Sequence, residues 1–291
     1  MSFTDKNEKV SVSFEFFPPA DLSKADNFWA SVENLAKLQP DFISLTYGAG
    51  GSTRERSLEI LKRLVADTSL TPVAHLTCVA VSKDEANEMA RQFHEIGIRR
   101  LVVLRGDPPE GDNLSTVHPD GYANATEFMH DLNKIADFDM SVAAYPEIHP
   151  ESPNMEHEIE VLKQKVDAGA RRFITQFFFD CDVYLRFVEK ARAAGIDIPI
   201  IPGILPIVNF NRVRGFAESC GASIPPWLEK LFEGVEPSST INNMLAASVL
   251  IDQCNTLYDA GVRNFHFYTL NKSELTRAVC KTLGIQEKDT K

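Results

Sequence analysis

The sequence predicts an α/β protein with a (β/α)8 TIM barrel fold, from two repeating features. Eight short segments rich in β-branched and aromatic residues occur along the chain, most of them starting roughly 30 residues after the previous one. Helical patterns separate these segments. The predicted strands span residues 11–18, 40–48, 71–78, 99–107, 140–147, 171–180, 198–206 and 263–271. A doubly wound sheet is the competing fold, but it would have about six strands and usually a Gly-rich first turn.

The first predicted strand carries a glutamate among aromatic residues, in the run FEFFPP that begins at Phe14. The two prolines lack backbone N–H donors and end the strand, which places Glu15 at its last turn. Carboxylates are rarely buried unless they are paired, and burial alone favours the neutral, proton-donating form. Glu15 is therefore either a functional acid or a carboxylate paired with an Arg or Lys of the barrel.

The segments between the strands carry the start and stop signals of helices. Ser82 and Glu85 have the spacing of a capping box, and apolar residues follow them at helical period. Four helices are predicted to end at a glycine shortly before the next strand, at Gly97, Gly169, Gly195 and Gly261.

The long gap before the last predicted strand must hold additional structure. We predict a helix from Asn209 and a longer helix from about Ser239 to Ala260, with a Pro-Pro-Trp segment at 225–227 between them. The chain shows no linker. We therefore expect residues 1–291 to form a single barrel domain with an elaborated segment at about 207–262.

The amino-acid composition indicates which binding partners and which cellular compartment to expect. A net charge of −11 and the lack of a basic patch argue against nucleic acid or an anionic membrane as partner. The five cysteines are widely spaced without a CxxC pair, which indicates reduced thiols rather than a disulfide framework or zinc site. With a polar N-terminus and no long apolar stretch, the sequence predicts a cytoplasmic protein.

Polar residues gather at the C-terminal ends of the predicted strands, where active sites of such barrels lie. Alternation places Ser13 on the same strand face as Glu15. The other strand-end residues are Ser44, Thr46, His75, Thr77, Arg105, Asp107, Tyr145, Glu147, His149, Gln176, His266 and Tyr268. For some of them a purely structural role is open: Arg105 and Asp107 could form an ion pair. We expect His266 to be a core residue, whereas His75 is either a core residue or a ligand-binding one.

Familiar catalytic motifs are missing from the sequence. It contains no dinucleotide-binding GxGxxG, no P-loop, no HExxH and no GxSxG, and its seven histidines are scattered, so we predict no metal site. The glycine-rich run 48–52 follows the second strand. It could approach a phosphate or flavin closely, or form only a flexible turn.

Motifs in every strand region match one known family. In chain order they are SFEFFPP (13–19), TYGA (46–49), HLTC (75–78), LRGD (104–107), AYPE (144–147) with His149, TQFFFD (175–180), PGILP (202–206) and FHFYTLN (265–271). This set resembles the 5,10-methylenetetrahydrofolate reductase family in its bacterial form, which consists of the catalytic domain alone.

The resemblance implies an FAD enzyme that NAD(P)H reduces first. In a ping-pong cycle, 5,10-methylenetetrahydrofolate then enters the same site and leaves as 5-methyltetrahydrofolate. The short bacterial members favour NADH over NADPH, and a homo-oligomer is expected. In this scheme Glu15 matches the general acid that protonates the departing folate nitrogen, with a raised pKa. Asp107 matches an anion beside flavin and pterin that stabilises the iminium cation, and Gln176 matches a residue that contacts substrate and nicotinamide.

The resemblance also implies flavin and substrate contacts. The implied flavin contacts are Thr46, Tyr47, Ala49, His75, Arg105, Gly106, Asp107, Tyr122, Ala123, Tyr145, His149, Glu158 and Lys165. Among them, Arg105 and Lys165 are the cations expected to neutralise the pyrophosphate. Arg212 and Phe216 match part of a lid over the substrate. Lys272 stands where some members have Arg, which keeps the charge but loses the bidentate fork for a folate carboxylate.

Three other functions compete with this interpretation. A different flavin barrel, such as a proline-dehydrogenase-like enzyme, would use an Arg pair for its substrate and would not need Glu15. A folate- or flavin-binding protein without turnover would gain nothing from a buried acid. A barrel lyase or aldolase would need a metal or a Schiff-base Lys inside a strand, and no predicted strand interior carries a Lys.

Overall fold

The structure, a computed structural model, describes residues 8–47, 51–106 and 118–288, without the side chains of residues 24 and 51–53. The strands in this part of the chain are β1 Ser11–Phe16, β2 Phe42–Leu45, β3 Pro72–Thr77, β4 Arg100–Leu104, β5 Asp139–Ala144, β6 Ala170–Thr175, β7 Ile200–Ile201, β8 Gly203–Ile204 and β9 Asn264–Tyr268. They form one parallel sheet in the order β7-β6-β5-β4-β3-β2-β1-β9-β8. Together with the alternating helices, this order confirms the predicted (β/α)8 barrel.

The helices follow the strands as the sequence predicts. They are α1 Asp26–Ala36, α2 Gly51–Asp67, α3 Lys83–Glu95, α4 Ala125–Ile135, α5 Met155–Asp167, α6 Cys181–Ala193, α7 Phe210–Cys220, α8 Pro226–Phe232, α9 Thr240–Asp259 and α10 Glu274–Thr282. The capping box at Ser82 and Glu85 is present, and the four predicted helix-ending glycines all have positive φ. Asn209 and Ser239 are the N-caps of α7 and α9, so the predicted helices of the long gap are confirmed.

The seventh predicted strand, 198–206, is not continuous. It divides at Pro202 into β7, which pairs with β6, and β8, which pairs with β9. A proline cannot donate to a strand ladder, but its carbonyl still accepts a hydrogen bond from the backbone N–H of His266 at 3.0 Å. Each half of the strand therefore faces a different neighbour, and the two halves together close the barrel.

The closing seam is held by polar contacts around Thr175, the last residue of β6. The backbone N–H of Gly203 donates to its hydroxyl at 3.0 Å, and the Tyr268 hydroxyl donates to its carbonyl at 2.7 Å. A Cβ on Gly203 would lie 2.1 Å from that carbonyl oxygen. Only glycine fits at this point of the seam.

Alternate residues of each strand divide between two apolar layers. One face packs against the helices, with Phe14 and Phe173 fully buried. The other face fills the lower barrel interior with a small cluster that includes Phe42, Val102 and Ile174. Above this cluster the inward-facing residues become polar, and the candidate site begins there. No helix in the described ranges is both long and apolar enough to cross a membrane.

We expect Gly203→Ala to destabilise the protein by at least about 2 kcal/mol, because the added methyl overlaps the Thr175 carbonyl and the Tyr268 ring at the seam. The measurement is the urea midpoint of unfolding, followed by circular dichroism. Gly215→Ala is the matched control, since nothing surrounds an added Cβ on that helical residue and alanine favours helix. Equal midpoints for the two variants would contradict the role of Gly203.

Candidate active site

The centre of the site is Glu15, which points into the upper barrel from the end of β1. Its side chain is 17 % exposed. The backbone carbonyl of Glu15 accepts hydrogen bonds from the Thr269 hydroxyl at 2.6 Å and from the Thr269 N–H at 3.2 Å. Just beyond it, the Asn271 side chain exchanges two hydrogen bonds with the backbone of Phe17. The end of β1 is therefore fixed by the residues that follow β9.

Two histidines face the Glu15 carboxylate. Its Oε2 lies 3.3 Å from Nε2 of His75 on β3 and 3.7 Å from Nε2 of His266 on β9. Both imidazoles are buried. The sequence left Glu15 between a functional acid and a partner of Arg or Lys, and the structure places histidines beside it instead. We call Glu15, His75 and His266 the carboxylate trio.

Ser13 and Phe42 hold one imidazole of the trio in place. The Ser13 hydroxyl lies 2.8 Å from Nδ1 of His266 and donates to the carbonyl of Phe265. The tautomer of His266 decides which of the two groups donates in the 2.8 Å contact. Phe42 stacks on the same ring at 5.6 Å. His266 is thus buried as expected, but it also belongs to the site.

Burial raises the pKa of the Glu15 carboxyl, but the charge and hydrogen bonds of His75 and His266 outweigh it and lower the pKa to about 2. The expected raised pKa is therefore wrong for this arrangement, because the sequence did not reveal that two imidazoles converge on the carboxylate. Burial in turn lowers the pKa of His266. Because Glu15 and His266 each respond to the charge of the other, the protonation of these two groups is coupled.

A second group of charges lies at the ends of β4 and β5. Arg105 forms an ion pair with Glu151, with Nη1 2.5 Å from Oε2. Glu158 is buried and accepts from the backbone N–H of His149 at 3.2 Å. Burial lowers the pKa of His149, and the neighbouring Arg105 and Lys165 lower it further against the opposite effect of the two glutamates. These five residues are called the charged rim.

Lys165 is the least solvated cation of the charged rim. It rises from α5, and its Nζ donates to the carbonyl of Ala143 at 2.8 Å. Burial lowers the pKa of its ammonium group to about 8, with Glu158 acting in the opposite direction. An ammonium group held in this way gains stability from a nearby anion.

The remaining predicted flavin contacts differ in where their side chains lie. Thr46 and Gly106 lie at the ends of β2 and β4, and the Tyr145 ring packs edge-on against His149 at 4.6 Å. Tyr47 is buried in the layer between strands and helices, where its ring meets Phe93.

Tyr122 and Ala123 belong to the segment that leads into α4. The Tyr122 hydroxyl donates to Asp131 at 2.8 Å and lies 3.0 Å from the side-chain amide of Asn87, and the Ala123 N–H donates to Glu127. These hydrogen-bonding groups of both residues are thus already paired with residues of α3 and α4.

The predicted substrate residues lie on the outer part of the same end. Gln176 follows β6 and lines a small cavity together with Tyr145 and Ala222. Arg212 and Phe216 are exposed on α7, and Lys272 is exposed after β9. The C-terminal end of α7 is tied to the barrel through Ser223, whose N–H and hydroxyl both donate to the Glu147 carboxylate. Asp107 and Ala49 lie outside the described residues.

Sequence reasoning gave no site role to three contributors. Ser13 and His266 were placed at the strand ends, with His266 expected in the core, and β1–β9 pairing brings Ser13 to His266 and His266 to Glu15. Glu151 gave no signal, because its pairing with Arg105 depends on two loops meeting in space.

Comparison with known proteins identifies relatives of the whole chain. The sequence profile described as methylenetetrahydrofolate reductase matches residues 2–284. Two proteins described as 5,10-methylenetetrahydrofolate reductase, from Pectobacterium carotovorum subsp. carotovorum and Escherichia coli (strain K12), are each 42% identical over 98% of this chain and 94% of their own length. The methylenetetrahydrofolate reductase (NADH) 1 of Arabidopsis thaliana is 32% identical over 98% of this chain and 50% of its own length.

A solved structure shares the fold. It is an uncharacterised protein from Clostridium thermocellum, described as binding two copies of 5-methyl-5,6,7,8-tetrahydrofolic acid, with a TM-score of 0.64. The comparison covers 97% of this chain and 96% of that one at 16% identity, which shows the barrel fold alone. With a family profile over nearly all of its residues and 42% identity to full-length relatives, the chain belongs to the methylenetetrahydrofolate reductase family.

Proposed function

We propose that this protein reduces 5,10-methylenetetrahydrofolate to 5-methyltetrahydrofolate, using FAD and NAD(P)H in a ping-pong cycle with Glu15 as general acid. Membership of the family supports the reductase activity itself. The observation that carries the proposed chemistry is the carboxylate trio, in which two buried imidazoles lie 3.3 and 3.7 Å from a carboxylate inside the barrel. Pure binding would gain little from such a group, because a carboxylate is costly to bury.

The charged rim supports the proposed cofactor, because it offers cations to the pyrophosphate of FAD. Arg105 and Lys165 offer two cations in a chain with a net charge of −11, and both lie near enough to His149 to lower its pKa. A guanidinium and a partly buried ammonium suit a pyrophosphate. Thr46, His75, Tyr145 and His149 would hold other parts of the cofactor. The chemistry that bound FAD supplies is hydride transfer, from NAD(P)H to the folate.

The trio provides a physical route for the proton. An imidazolium beside a carboxylate carries the same number of protons as a neutral imidazole beside a carboxylic acid. When substrate covers the site and water leaves, the neutral pair becomes more favourable, because ion pairs lose solvation. Glu15 would then hold the proton on its carboxyl oxygen and donate it to the folate nitrogen that departs when the five-membered ring opens.

Other residues complete the proposed site. Asp107 would stabilise the iminium cation as an anion. Gln176 would contact substrate and nicotinamide in turn. Arg212, Phe216 and Lys272 would contact the substrate from the outer side, where they are exposed in the structure.

A spectrum tests the proposal most directly. We expect the purified protein to show a flavin absorbance that bleaches with NADH or NADPH under anaerobic conditions and returns when methylenetetrahydrofolate is added. Bleaching without recovery would keep a flavin barrel and reject this substrate. A protein that is colourless and does not take up FAD would overturn the proposed function.

We expect Glu15→Gln to lower the rate of folate reduction by roughly 10²–10⁴-fold, because the amide cannot supply the proton. Flavin content and flavin reduction by NADH should stay near wild type, since neither step needs that proton. Stopped-flow absorbance separates the two half-reactions. Glu95→Gln, at an exposed position on α3, is the control for removal of one carboxylate. Unimpaired folate reduction by the Glu15 variant would refute its assignment as the acid.

We expect His75→Gln to raise the pKa of Glu15 from about 2 toward or above its ordinary value. The effect of burial, which raises the pKa, is then no longer opposed by the charge of His75. In the wild-type protein the low pKa stabilises the fold above about pH 4.5, and this contribution is lost as the pH falls toward 2. The variant should lose that pH dependence.

The measurement for this variant is an infrared titration with pH of the carboxylic acid band of Glu15. The band is assigned to Glu15 by its absence from the protein that carries Glu15→Gln. The exposed His157→Gln on α5 serves as control. A band whose midpoint is the same with and without His75 would show that His75 does not control the carboxylate.

A further inference from the structure

We propose that the Glu151 carboxylate pairs with Arg105 in place of the cofactor pyrophosphate until FAD binds. Because FAD must displace this carboxylate, Glu151 lowers the affinity for FAD. This inference rests on the proposed function, because it takes FAD as the ligand of the charged rim. The role concerns the affinity for the cofactor rather than the chemistry of the hydride or proton.

The contact itself is suited to exchange. Arg105 and Glu151 are joined at 2.5 Å, and their side chains are 32% and 33% exposed, so the pair lies at the solvent boundary of the site. Charge-assisted pairing with Arg105 lowers the pKa of Glu151, which keeps the carboxylate anionic. A carboxylate and a phosphate use the same N–H fork of a guanidinium, so an arriving phosphate must compete with Glu151.

The two glutamates of the charged rim differ in how they are held. Glu158 belongs to α5, is buried, and is held by the backbone N–H of His149. Glu151 belongs to the loop between β5 and α5, where its own N–H donates to Nδ1 of His149 at 3.1 Å. A side chain on such a loop can leave its partner by rotation alone, while its backbone keeps the turn.

The balance of charge supports the same role. Lys165 and Arg105 are the two cations that act on His149, and Glu151 and Glu158 are the two carboxylates that act on it. With both carboxylates in place, the rim offers little net attraction to an anion. Movement of Glu151 away from Arg105 leaves two cations against one carboxylate, which is the arrangement that a pyrophosphate needs.

The test is the FAD affinity of the full-length holoprotein, measured by the rise of flavin fluorescence as cofactor is released on serial dilution. We expect the Glu151→Gln variant to bind FAD about two- to tenfold more tightly than wild type. This gain in affinity should shrink at high salt, because the Arg105–Glu151 and Arg105–phosphate interactions are both electrostatic. Glu287→Gln is the matched control. It removes a carboxylate from the Arg277 ion pair, whose side chains are 30% and 24% exposed, outside the charged rim.

Two further variants separate competition from other effects. In an Arg105→Met background, Glu151→Gln should give no gain, because the contested cation is gone. Glu151→Ala should also bind FAD more tightly, which would show that loss of the carboxylate is the cause and not the way the glutamine packs in the loop. Circular dichroism checks that each variant is folded. Binding of riboflavin, which has no phosphate, should not respond to Glu151.

The outcomes are distinct. Tighter FAD binding by both Glu151 variants, absent without Arg105, supports the inference. Equal or weaker binding overturns it, since Glu151 would then be neutral or a direct cofactor contact, while the proposed function stands. A wild-type protein that does not bind FAD overturns the proposed function and this inference together.

Discussion

The parallel pairing of β1 with β9 is the constraint on which the site depends. It joins the first and last strands of the barrel and places Ser13 opposite His266 and Glu15 opposite Tyr268. Closure at the other side of β9 requires the divided seventh strand and the glycine at its seam. Without the β1–β9 pairing, Glu15 would lie on an open sheet edge in contact with water, where its pKa would approach the ordinary value. Barrel closure and the enclosure of Glu15 therefore depend on the same strand pairing.

Burial and charge act against each other on Glu15, and their balance decides its protonation. An isolated buried carboxyl would be neutral, and one beside two charged imidazoles is ionised. In this structure Glu15 is at the ionised limit, with a pKa of about 2, while burial lowers the pKa of the neighbouring His266. A proton moves from imidazole to carboxyl only where bound substrate removes enough solvation to reverse this balance. The proposed role of Glu15 as general acid, which requires a new proton in every cycle, would depend on that reversal.

The sequence predicted those features that depend on local patterns. The strand positions, the capping box at Ser82 and the helix-ending glycines follow from periodicity and backbone chemistry, and all are present. It failed where an outcome depends on partners distant in the chain. The seventh strand was predicted to be continuous because its local composition is that of one strand. It is divided because its first half pairs with β6 and its second half with β9. The pKa of Glu15 was expected to rise because its aromatic neighbours are visible in the sequence and its imidazole neighbours are not.

The two carboxylates Glu15 and Glu151, at opposite sides of the site, differ in what holds them. Glu15 is fixed by Thr269 and enclosed by the barrel, and its proposed role is to pass on a proton from a fixed position. Glu151 lies on a loop at the boundary with solvent, so that the side chain itself can move. Under the proposed function, an acidic protein must offer local cations to a doubly charged pyrophosphate, and cations without counterions are unfavourable before the ligand arrives. The proposed departure of Glu151 when the ligand binds would satisfy both states at the cost of some affinity.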